Sequence, residues 1–146
     1  MKNATQELLN SIALKVVGSA VGGFIALIVT IMGGWDMALT TLLGVMGLDV
    51  LLGLLRAIYQ RKVSSDIGIK GIVKKMAMLA IVAVAQFVGA YTQTPILRDV
   101  TIGAFIAAEV VSIVENAIAM GITLPEQLTN IFAKANPKKF EKTNGK

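Results

Sequence analysis

Three carboxylates stand inside otherwise apolar stretches of this 146-residue chain: Asp49, Glu109 and Glu115. A charge at mid-bilayer depth costs about 2.5–3.5 kcal/mol on insertion scales, so such a group must face a partner, a bundle interior or water. On a helix of 3.6 residues per turn, Glu109, Ser112 and Asn116 share one face, and Glu115 projects away from it. This polar stripe can line an aqueous path or a helix interface, with Gln86 of the preceding apolar segment as a hydrogen-bond partner. For Glu109 the lining or interface role is preferred over a protonated structural carboxyl. Asp49 has Arg56 two turns on along the same face, and an ion pair near the end of the segment is preferred there over pore lining. Glu115 suits contact with a basic loop residue as well as it suits lining.

What the chain lacks narrows the chemistry further. It contains no Cys and no His, which removes thiolate nucleophiles, disulfides, the commonest general base and the commonest metal ligand. No phosphate-binding loop, zinc spacing or dinucleotide fingerprint is present. The sequence is read as a non-enzyme with no cofactor and no metal.

The elements that position the acids are apolar segments of membrane-spanning length. Hydrophobic residues make up 55% of the chain and charged ones 16%, against about a quarter charged in soluble domains. A soluble protein of this size has too little interior to hide that much apolar surface. Segments of about 20 apolar residues suffice to cross a bilayer as helix. They fall over residues 16–35, 37–55, 76–97 and 100–124, giving an all-α polytopic membrane protein of about four transmembrane helices in two hairpins. Breaks separate them at Gly33-Gly34-Trp35-Asp36, at Thr92-Gln93-Thr94-Pro95 and at Arg98-Asp99. Ser64-Ser65-Asp66 reads as a turn and helix start, with Ser65 or Asp66 as cap. Residues 1–15 read as an amphipathic lead-in rather than a cleaved signal. Pro125 opens a further helical stretch in a basic tail over residues 125–146.

Charge sets the orientation. The net charge is +5, and the basic residues lie between apolar segments, which argues for a membrane and against nucleic acid as the partner. The stretch from Arg56 to Lys75 holds Arg56, Arg61, Lys62, Lys70, Lys74 and Lys75 against Asp66. With four spans this loop and both termini share one face, and basic loops stay in the cytoplasm. Trp35 and Tyr91 then mark the outer boundary and Tyr59 the inner one. Small residues recur four apart, at Gly18 with Gly22 and at Gly103 with Ala107, a spacing that lets helices approach closely in lipid, within one bundle or between copies.

Two blocks carry a family likeness. One runs from Asp49 to Met76, with Gly53, Arg56-Ala57-Ile58, Arg61-Lys62, Ser64-Ser65, Gly68, Gly71 and Lys74-Lys75; the other runs from Glu109 to Leu128, with Ser112, Asn116, Gly121 and Pro125. Together they resemble the phage-lysis and toxin-secretion holin family, which includes clostridial toxin-export holins. Asp49, Gly53, Ser64, Ser65, Gly68, Gly71, Glu109, Ser112, Asn116 and Gly121 fit its pattern. The resemblance implies a homo-oligomer that accumulates in the bacterial inner membrane, then assembles into lesions that release an endolysin or toxin in timed host lysis. Two other readings stand beside it: a small proton-coupled transporter built around Glu109, and an antiholin or other non-porous partner.

Overall fold

The computed structural model describes residues 2–126, and these form four helices: α1 (Lys2–Ile31), α2 (Met37–Tyr59), α3 (Ser65–Tyr91) and α4 (Ile96–Ala119). No strand occurs among the described residues. Each helix contains a window long and apolar enough to cross a bilayer: Leu9–Ile31, Met37–Tyr59, Gly68–Tyr91 and Ile96–Ala119. The chain is therefore an all-helical, multi-pass membrane protein. The short connections, 32–36, 60–64 and 92–95, reverse the chain between consecutive helices.

The helix ends show why these sequences stop where they do. The last carbonyls of a helix have no intrahelical donor and take one from the turn that follows. All four helices answer with a left-handed or glycine residue just past the end. After α1, Gly33 has φ of 95° and the Gly34 N–H donates to Val29 O; after α2, Arg61 has φ of 53° and the Lys62 N–H donates to Ala57 O. After α3, Gln93 has φ of 56° and Thr94 donates to Gly89 O; after α4, Gly121 has φ of 88° and Ile122 donates to Ala117 O. These are Schellman-type closures. At its start, α2 is capped by the Asp36 carboxylate, which accepts from the Leu39 N–H at 2.8 Å. At the start of α3 the cap position falls to Ser64, one residue before the expected Ser65 or Asp66, and the Ser64 side chain makes no capping bond.

Helix α4 is the hub, packed on α2 and, less extensively, on α3. The apolar core gathers Met32, Leu39, Leu42, Met46, Met78, Val82 and Ile102. It lies in the half of the bundle nearer the 32–36 and 92–95 turns. Helix α1 runs unbroken from Lys2, so the expected lead-in and the first span form one helix. Its spanning window is wholly unburied, and it meets the other helices near its C-terminal end. The stretch that Pro125 was expected to open lies outside the described residues.

Candidate functional site

Below the apolar core, toward the basic turn, three helices converge on one chain of polar side chains. Lys75 of α3 reaches inward and donates to Asp49 Oδ2 of α2 at 2.9 Å and to Glu109 of α4. Asn116, two turns beyond Glu109, donates from Nδ2 to Asp49 Oδ1 at 3.2 Å and accepts at Oδ1 from Arg56 Nη1 at 3.1 Å. The order is Glu109–Lys75–Asp49–Asn116–Arg56, two acids and two bases with formal charges that cancel. Glu109 is 1% exposed and Asn116 9%. Gly53 lies beside this chain, and a Cβ there would make an ordinary contact with Asn116 Nδ2 at 3.7 Å.

Several sequence expectations change here. Lys75 is not a loop residue that sets topology; it lies inside α3, ten residues past its start at Ser65. Two carboxylates draw its ammonium into the bundle, whereas Lys70 and Lys74 on the same helix stay exposed. Asp49 is not paired directly with Arg56, since Asn116 stands between them. Gln86 is not the partner of Glu109: its Oε1 approaches Gly33, near Arg98, in the layer beyond the apolar core. Ser112 and Glu115 are half-buried on α4. Gly18, Gly22 and Gly103 face open space, with nothing within 4 Å of a Cβ built on them, and Ala107 is exposed.

A second polar centre sits at the opposite end. Arg98 and Asp99, expected between spans, belong to the first turn of α4. Arg98 is 6% exposed. Its Nε donates to Met32 O at 2.6 Å, and its Nη1 donates to Asp36 Oδ2 at 2.6 Å and Asp99 Oδ1 at 3.1 Å. One guanidinium thus ties the end of α1, the cap of α2 and the start of α4 together. The bond from Arg98 holds the Asp36 carboxyl below its ordinary pKa, helped by the Leu39 N–H. Gly33 is fixed by space as well as by φ, since a Cβ there would lie 2.6 Å from Gln86 Oε1 and 2.7 Å from Arg98 Nε. Sequence reasoning passed over Arg98 because it read as a loop charge; its setting between apolar runs, with Asp36 and Asp99 at hand, was the available signal.

Such a site has no nucleophile aligned with a base. No group of His, Cys, Asp and Glu suited to hold a metal is found among the described residues. What it offers is an ion-pair network whose groups satisfy one another across α2, α3 and α4 while those helices stay together. That is a structural lock. The model of the bacteriophage holin family matches residues 26–136. This chain belongs to the bacteriophage holin family. The match starts inside α1 and takes in the whole ion-pair network. Holin membership gives the protein a holin-like, non-enzymatic role in a membrane. Among similar proteins are an uncharacterized 14.9 kDa protein from the nagH 3′ region of Clostridium perfringens, 34% identical over 75% of this chain and 84% of its own length. An uncharacterized Listeria monocytogenes protein is 35% identical over 82% of this chain and 86% of its own length, and one from Listeria innocua is 36% identical over 75% and 79%. No solved structure matches.

Proposed function

We infer that this holin accumulates in the bacterial cytoplasmic membrane as closed four-helix units, oligomerises, and opens holes that release an endolysin or toxin during timed lysis. The carrying observation is the Glu109–Lys75–Asp49–Asn116–Arg56 chain. In the closed unit each charged group is satisfied by another helix, which the low-dielectric surroundings demand. Water can satisfy the same groups once helices part, so the network disfavours partial opening and favours two states, closed or water-lined. That is the behaviour a delayed, abrupt lesion requires.

The unburied α1 supports assembly. A spanning helix with little hold on its own bundle, carrying Gly18 and Gly22 in open space, offers a close-packing face to a second copy. The basic turn at 60–64, with Arg61 and Lys62, supports an orientation with that turn and both termini in the cytoplasm.

Induction in a bacterium that also makes an endolysin without a secretion signal tests this reading. The expected result is a quiet interval followed by sudden release. Steady growth without release, at confirmed membrane abundance, would overturn it and favour a non-porous partner. The transporter reading draws no support from the geometry, because Glu109 is occupied by Lys75 and closed to solvent.

A further inference from the structure

At the basic end, α2 and α3 diverge and leave a cleft of about 530 Å³, within the range of about 300–1,000 Å³ common for small-ligand sites. Gly68 and Gly71 of α3 border it and put no side chain into it. Its walls are apolar, including Val50, Leu54 and Ile72, and all three are also exposed on the face a bilayer would cover. Arg56, Lys62 and Lys75 supply three cations to the lining, against Asp49 as its one acid. Asp49 is already held by Lys75 and Asn116. Arg56 spends one nitrogen on Asn116. Lys62 is exposed and is carried over the cleft by the left-handed Arg61, whose turn folds the chain back on α2.

We propose that this cleft is a binding site for an anionic glycerophospholipid. The phosphodiester sits between Arg56 and Lys62, and an acyl chain runs out along Val50, Leu54 and Ile72. An apolar slot with Lys62, which lies outside the charge-balanced network, at its mouth beside the Arg56 guanidinium matches an amphiphilic anion. The mouth also lies at the end of the α2 and α3 spanning windows, Tyr59 and Gly68, which is headgroup depth. The chain's own tail is a poor occupant: beyond Glu126 it holds Lys134, Lys138, Lys139, Lys142 and Lys146 against Glu141, and like charge repels it. The site shares Asp49, Arg56, Lys75 and Asn116 with the ion-pair network, so an occupant would make the closed unit sensitive to the anionic lipid content of the membrane.

The experiment is native mass spectrometry of the full chain, released from nanodiscs of equal phosphatidylglycerol and phosphatidylcholine. The wild type should retain phosphatidylglycerol preferentially. Lys62→Gln, at an exposed position, should cut that preference about fivefold, the contribution expected of one basic side chain near a membrane surface. Gly71→Leu should abolish the preference by filling the cleft while leaving every charge in place, with helical content checked by circular dichroism. Equal retention of the two lipids by wild type would overturn the proposal. So would Gly71→Leu keeping the preference at unchanged helicity, since the lipid would then sit on the basic surface. Displacement of the bound lipid by millimolar inorganic phosphate would overturn it too, because the site would then recognise a free anion.

Discussion

At the scale of single residues, the polar chain makes a sharp energetic statement. Removing one member of a buried ion pair strands its partner and costs about 3–5 kcal/mol, whereas removing both partners together can be nearly neutral. Lys75→Met leaves Asp49 and Glu109 facing each other with only Arg56 to offset them. Lys75→Met with Glu109→Leu leaves Asp49 balanced by Arg56 through Asn116. The single variant should therefore be strongly destabilised to denaturant in micelles and the double variant largely restored; simple additivity in that double-mutant cycle would remove the network from the account. In cells, Glu109→Gln, which frees Lys75 from one of its two acids, should shift the onset of lysis at equal membrane abundance. At the opposite end Asp36 gives a pH dependence. Its carboxyl titrates below the ordinary value of 3.8 because of Arg98, so its contribution is present at neutral pH and is lost as pH falls through the depressed value. Trp35, exposed beside it, should report loosening of that turn by its fluorescence under acid, and Asp36→Asn should flatten the response.

At the scale of elements, most of the architecture was legible and the boundaries were not. Apolar run length foretold four spanning helices, and Gly33-Gly34 and Thr92-Gln93 marked real turns. The basic stretch misled because charges were assigned to loops by type. Lys75 sits between a lysine and a methionine, and nothing local says that its partners are 26 and 34 residues away. Arg98 failed for the same reason, since its partners Met32 and Asp36 lie 66 and 62 residues back. The Glu109–Asn116 face, by contrast, was readable because helical periodicity is a local property. The left-handed helix ends lead to a prediction at this scale. Arg61 adopts a conformation that costs a non-glycine residue about 1–2 kcal/mol, so Arg61→Gly should raise resistance to unfolding in micelles. Gly33→Ala should lower it, because both its φ and the nearby Gln86 and Arg98 oppose a Cβ. Equal effects of the two substitutions would contradict the turn geometry.

At the scale of the whole molecule, two observations belong together. The bundle is locked by α2, α3 and α4, while α1 spans the bilayer with little hold on them. In the proposed function, the locked part sets when the unit opens, and α1 is the surface offered to a second copy. Gly18→Leu and Gly22→Leu should weaken cross-linked oligomers in the membrane without lowering the stability of the monomer, since among the described residues nothing beyond their own helix turn lies within 4 Å of a Cβ at either glycine. A loss of monomer stability would place α1 inside the bundle instead.

The most direct measurement is release of a trapped, folded enzyme from phosphatidylglycerol-containing liposomes as the amount of inserted protein is raised. Retention is expected at low density and then steep release above a threshold, with Gly18→Leu/Gly22→Leu moving the threshold upward. Leakage of small ions alone, or release that rises in simple proportion to protein from the lowest density, would contradict a cooperative, enzyme-sized hole.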